Sequence, residues 1–406
     1  MNAAALDATD PLASYRALFE GADDPGIVYL DGNSLGRPPR TVAERMAAFV
    51  AQEWGTRLIR GWDEGWFVSP LELGDRLGRL VLGAAPGQTI VGDSTTVLLY
   101  KLIRTALAAR GGRDQIVIDR ANFPTDRYLV QGIAAETGSE IVWLDPDPAA
   151  GVTADDVAAV AGERTAVVVL SHVAYRSGYA ADVPGITEAA HAAGALVVWD
   201  LCHSVGSMPL SLDDWGVDYA TGCTYKYLNG GPGSPAFLYA REEVIPDAAQ
   251  PIQGWMGVRD SFRMGPDYEP AGGIRRFLSG TPPVLAMVPM GATLDLIEEV
   301  GMPAIRAKSV ALTEFAIELV DERLAGFGVR LTSPRDPTRR GGHITIDHAE
   351  FPAMIERLWR RGILPDFRAP SGIRLGLSPL STSFGEVESA VDAIAREFAA
   401  TPAAGS

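Results

Sequence analysis

Between residues 114 and 240 the chain alternates short apolar, β-branched runs with Ala-rich stretches of helical period. The runs at 115–118, 140–144, 165–170, 195–199, 219–223 and 236–239 are apolar at successive positions and bounded by polar, Gly or Pro residues. This predicts strands buried on both faces, because a strand with one wet face alternates apolar with polar instead. Helices at 124–137 and 183–193 supply the covers, the second stopped by Gly194 at a position suited to a C-cap. The expected architecture is α/β, a mostly parallel, doubly wound sheet whose ligands collect where the strands end.

After Pro289 a long helical pattern, interrupted at Gly301 and Pro303, runs towards Leu324. Strands at 328–331 and 343–347, a helix at 351–361, strands at 363–367 and 373–377, and a helix at 385–399 then describe a smaller α+β unit. The chain divides into an N-terminal arm (1–45) packing with the small domain, a large domain (46–290) and a small C-terminal domain (291–406), with a frayed end at 402–406.

At 406 residues, 47% hydrophobic and 21% charged, the composition is that of a folded globular protein. Fifty-one acidic against 35 basic residues leave a net charge of -16, the wrong sign for a nucleic-acid backbone. No apolar run approaches the roughly 18 residues of a spanning helix, so no membrane role is expected. The first ten residues lack a basic head and include Asp7 and Asp10, so a cytoplasmic location is expected. Cys202 and Cys223 lie in apolar stretches without spaced metal-ligand partners, and read as reduced, packed thiols.

Chemistry concentrates at two strand ends, Trp199-Asp200-Leu201-Cys202-His203 and Cys223-Thr224-Tyr225-Lys226-Tyr227, the latter followed by Asn229-Gly230-Gly231-Pro232-Gly233. A carboxylate, an imidazole, a phenol and an amine in one crevice suit pyridoxal phosphate: the lysine forms an imine, and the buried acid keeps the ring nitrogen protonated. Taken one at a time, the Asp reads as an N-cap, the His as a core residue and the Lys as a solvated head. Gly92-Asp93-Ser94-Thr95-Thr96-Val97 leads into a helix and offers amides and hydroxyls to a phosphate, or simply an N-cap. Asn122-Phe123-Pro124-Thr125-Asp126 places an aromatic ring at a helix mouth, against a cofactor or as a hydrophobic staple.

Together with Asp31-Gly32-Asn33-Ser34-Leu35-Gly36, Trp215-Gly216-Val217-Asp218-Tyr219-Ala220, Tyr225-Lys226-Tyr227-Leu228-Asn229 and Gly372-Ile373-Arg374, these motifs resemble the kynureninase family over nearly the whole chain. That family belongs to the fold type I pyridoxal-phosphate enzymes of the class V aminotransferase superfamily. The resemblance implies that Lys226 tethers the cofactor as a Schiff base, Asp200 pairs with the pyridine nitrogen, Phe123 stacks on the ring and His203 sits beside it. It implies that Thr95 and Thr96 hold the phosphate, that Tyr225 adds a hydroxyl there and shuttles protons, and that Ser171 and Asp126 complete the hydrogen bonds. Trp255 and Thr281 would reach the pocket from the neighbouring subunit of a homodimer, and Arg374 would take the substrate's α-carboxylate.

The activity implied is hydrolysis of L-kynurenine to anthranilate and L-alanine, in tryptophan degradation, with the aryl group resting on Trp62 or Trp66. Selection between kynurenine and 3-hydroxykynurenine stays open, although the likeness points to plain kynurenine. An aminotransferase would share Lys226 and Asp200. A cysteine desulfurase or related lyase needs a mobile attacking thiol, and no cysteine follows Cys223. A catalytically silent cofactor-binding protein is the remaining alternative.

Overall fold

The computed structural model describes residues 2–147 and 149–400; residues 402–406, read above as a frayed end, lie outside them. In chain order its strands are β1 (Val28–Leu30), β2 (Thr89–Gly92), β3 (Gln115–Asp119), β4 (Glu140–Leu144), β5 (Thr165–Ser171), β6 (Leu196–Asp200), β7 (Tyr219–Gly222), β8 (Ala236–Ala240), β9 (Arg330–Leu331), β10 (His343–Asp347), β11 (Ile363–Arg368) and β12 (Gly372–Gly376). The larger sheet has the order β2-β8-β7-β6-β5-β3-β4. From β4 to β7 the pairings are parallel, while β8 runs antiparallel to both its neighbours. Each strand expected between 114 and 240 is present to within one residue at either end.

Alternate residues of these strands feed two different cores. Val117, Val168, Leu170, Val197 and Trp199 pack on one face. Ile116, Ile118, Val167, Val169, Leu196 and Val198 pack on the other. Each such aliphatic side chain contributes about 1.5–3 kcal/mol by leaving water, which is why both faces need helical covers. Helix Pro124–Thr137 opens on a proline and closes on Gly138 at φ 74°. Helix Val183–Ala192 is capped by the Asp182 side chain and stopped by Gly194 at φ 75°.

The smaller sheet has the order β1-β11-β12-β10-β9 and its own core. Three features depart from the pattern-based expectation. Strands β1 and β2 are only three and four residues long and show no readable period. Helix Val284–Val300 begins before Pro289 and takes it into its interior, held by buried Met287, Met290, Leu294 and Ile297. The strand expected at 328–331 shrinks to β9, because Gly328 at φ 83° closes the preceding 3-10 turn.

Near the N-terminus, helix Ala3–Thr9 sits by helix Phe384–Ala400. The Asp7 carboxylate accepts the backbone N–H groups of Phe384 and Gly385 at 2.8 and 3.0 Å. Asp10 pairs with buried Lys308, and Arg16 and Arg37 both reach Glu386.

Candidate active site

Parallel register sets Ser171, Asp200 and Thr221 side by side at the ends of β5, β6 and β7. One Asp200 oxygen accepts the Cys202 N–H at 2.8 Å and the other faces the Ser171 hydroxyl at 3.4 Å. Lys226, four residues beyond β7, is buried, with its Nζ 3.1 Å from His203 Nε2 and 5.9 Å from the centre of the Tyr225 ring. Burial, reinforced by Lys226, Arg374 and His343, pushes the His203 imidazole well below its ordinary pKa, so it is neutral at pH 7.

Across from this group, Asn122 Oδ1 accepts from the Ser171 hydroxyl at 2.8 Å and from the Phe123 N–H at 2.7 Å. Among the described residues, Asn122 Nδ2 and Asp126 Oδ2 are buried with no protein partner. Such groups forfeit about 1–3 kcal/mol each unless something else bonds them. Burial, then Asp200 and Asp119, hold the Asp126 carboxyl well above the usual range. The Phe123 ring meets Tyr175 edge-on at 5.3 Å, and both line a small cavity with Asn122 and Ser171.

The turn after β2 leads into a helix N-terminus. Ser94 caps the fifteen-residue helix Thr95–Ala109, so Thr95 and Thr96 occupy its first turn, where unpaired N–H groups and the helix dipole favour negative charge. Thr95 Oγ1 lies 3.9 Å from Cys202 Sγ, whose sulfur accepts the Cys223 N–H. Tyr225 borders this thiol pair; burial and the neighbouring Cys223 raise its phenol, which therefore keeps its proton.

Arg374, on β12, is 1% exposed. Its Nε donates to Asp366 at 2.5 Å, one terminal nitrogen to the Tyr175 carbonyl at 2.6 Å and the other to the Ser34 hydroxyl at 2.9 Å. A guanidinium carries five N–H groups, so among the described residues one on each terminal nitrogen is left over, the number a carboxylate takes. Ser34 belongs to the motif whose Gly36 N–H donates to the Tyr225 carbonyl at 2.8 Å. A Cβ at Gly36 would stand 2.3 Å from the Lys226 carbonyl and 2.5 Å from Asn229 Nδ2. Motifs nearly 200 residues apart in sequence are therefore in backbone contact.

Residues 305–394 match the family model described as Kynureninase C-terminal domain. The chain is 41% identical to a kynureninase of Pseudomonas fluorescens over 394 residues, covering 95% of this chain and 92% of the relative. It is 42% identical to a kynureninase of Burkholderia pseudomallei strain 1106a over 398 residues, covering 97% and 94%. The chain belongs to the kynureninase family. Among solved structures, a cysteine desulfurase of Thermococcus onnurineus NA1 superposes with a TM-score of 0.80 at 20% identity, covering 92% of this chain and 95% of that one. A C-DES variant described as carrying glycine covalently linked to its PLP cofactor gives 0.81 at 20% identity, covering 95% and 99%. At that identity these two establish the fold, the type I fold expected from the sequence.

Ser171 and Asp200 thus end strands, His203, Tyr225, Lys226 and Phe123 follow strand ends in loops, Thr95 and Asp126 sit in the first turns of two helices and Arg374 lies within β12, with Thr96 exposed beside Thr95. Trp66 and Trp255 lie in another aromatic cluster: Trp62 meets both edge-on, at 5.7 and 6.1 Å, and none of these ring contacts involves Phe123 or His203. Thr281 is exposed. Two histidines escaped the sequence reading. His343, on β10, has its ring 5.7 Å from that of His203, and buried His172 follows Ser171 directly. A histidine inside an apolar run gives no sign in sequence of which neighbour it will face.

Proposed function

We propose that this chain hydrolyses L-kynurenine to anthranilate and L-alanine with pyridoxal phosphate bound at Lys226. The observation that carries this reading is the buried Lys226 amine, 3.1 Å from neutral His203, beside the Asp200 strand end, in a chain of kynureninase sequence. The residues fit the cofactor: unpartnered Asn122 Nδ2 and Asp126 Oδ2 await bonds, and the Thr95–Ala109 helix start awaits an anion. Held there, pyridoxal phosphate would supply an electron sink for the substrate's α-carbon. Asp200 would be the carboxylate that keeps the pyridine ring protonated. Lys226 Nζ, 3.1 Å from His203, would take the α-proton and hand it back, and neutral His203 would add no competing positive charge there. Water adds to the side-chain ketone, the carbon–carbon bond breaks with the aryl acyl group leaving as anthranilate on the water's oxygen, and the Tyr225 O–H, which keeps its proton at rest, gives it to the alanine β-carbon and is refilled by a proton of that water. Arg374 grips the α-carboxylate with its two free N–H groups and so fixes which bond faces the ring.

The working unit is a homodimer in which Trp255 and Thr281 of each copy face the crevice of the other. Exposure of Thr281, and of Phe262 and Met264 at 59% and 74% near Trp255, supports this reading. Two free buried thiols favour a reducing, cytoplasmic setting. Among the described residues no helix is long and apolar enough to cross a membrane. The test is anthranilate fluorescence and alanine release from kynurenine and 3-hydroxykynurenine by the cofactor-loaded protein, with Lys226→Ala expected to lose about 10²–10⁴-fold in kcat. A yellow protein that yields no anthranilate, or one that releases sulfide from cysteine, would defeat the reading.

A further inference from the structure

Lys101 lies in the helix that follows the turn after β2 and is 0% exposed, yet the chemistry above gives it no task. Lysine is almost never fully buried unless paired. Its Nζ donates to Asp93 Oδ2 at 2.6 Å and to the Phe277 carbonyl at 2.8 Å. Burial draws the amine below its ordinary pKa and Asp93 draws it back up.

Both partners are informative. Asp93 immediately precedes the Ser94 cap and holds φ at 48°, a conformation non-glycine residues seldom adopt. Its carboxylate, only partly exposed, adds a negative charge to a turn that is to receive a phosphate, so that charge must be answered. Phe277 belongs to a segment pressed against another: Cβ atoms at Gly254 and Gly257 would lie 2.3 Å from the carbonyls of Ser279 and Leu278. Residues 254–257 and 277–279 are therefore packed backbone to backbone, in a piece that carries Trp255 and leads straight to Thr281.

We propose that Lys101 is a positioning residue that neutralises Asp93, sets the 92–96 turn for a phosphate and ties it to the piece bearing Trp255 and Thr281. This rests on the pyridoxal-phosphate reading, and its test separates the two. Cofactor-free, full-length wild type, Lys101→Met and the Asp93→Asn, Lys101→Met double variant are titrated with inorganic phosphate, pyridoxal phosphate and pyridoxal. Lys101→Met is expected to weaken both phosphate-bearing probes by at least about tenfold, the size of a charge-assisted bond, while leaving pyridoxal binding within about twofold. The double variant, which removes the unanswered charge, recovers part of the loss, and serves alone if thermal melting shows that the single variant does not fold. Hydrogen exchange at 254–281 should slow when phosphate binds wild type and respond less in Lys101→Met. Equal weakening of pyridoxal and pyridoxal phosphate, or no weakening of either, overturns the positioning role. Wild type that binds no pyridoxal phosphate overturns the cofactor reading and this role with it.

Discussion

At the scale of single residues, burial decides what a charge can do. The Arg374 guanidinium is almost sealed from water, and Asp366 answers its charge while also pairing with Arg368 at 2.8 Å. Lysine at this position would keep the charge and lose the planar fork. Arg374→Lys should raise KM for kynurenine by about 10–100-fold with a smaller fall in kcat, read from initial rates. His172 shows the opposite tactic. Fully enclosed against Trp199 and Trp215, it is held neutral by burial and by Arg306, its pKa falling from 6.5 to about 4. Between those values the unfolded chain binds a proton that the folded one refuses, so stability drops as pH falls through that window, by up to about 3 kcal/mol. His172→Phe should flatten this acid limb, seen as a smaller difference between urea midpoints at pH 7 and pH 4.5. Lys226 and Asp200 were legible in the sequence because each ends or follows an apolar run; the neutrality of His172 was not, because burial comes from distant segments.

Elements tell a similar story of local and distant causes. Strands β3 and β5 to β8 were readable because each is apolar and buried on both faces, whereas β4, at the sheet edge, is apolar in sequence but buried only at Leu144. Strand β1 exists only because β11 lies beside it, with Val28 opposite Ile363, and no pattern within three residues can announce that. Helix Val284–Val300 overrides Pro289 because its buried methionines and aliphatics outweigh one missing N–H. The glycines of the Asp31 to Gly36 motif were visible, but their reason was not: Gly36 is where the N-terminal segment touches the Lys226 loop. Gly36→Ala would force a methyl group into the Lys226 carbonyl, which must move. The expected result is loss of cofactor absorbance and a melting temperature lowered by several degrees, with the purified variant compared by spectrum and calorimetry.

For the whole molecule, the small sheet and its surroundings depend on both ends of the chain. Asp7 caps helix Phe384–Ala400 from 377 residues away, and Asp10 neutralises buried Lys308. Losing the Asp7 cap should remove about 1 kcal/mol, so Asp7→Ala should melt about 2 °C lower with kcat little changed. The pairing of β1 with β11 also has a temporal side. A ribosome finishes residues 28–30 long before 363–365 exist, so that strand must wait, unpaired, until almost the last tenth of the polypeptide emerges. Ser34 cannot bond Arg374 any sooner, which makes the grip on the substrate's carboxylate one of the last things the newborn chain acquires.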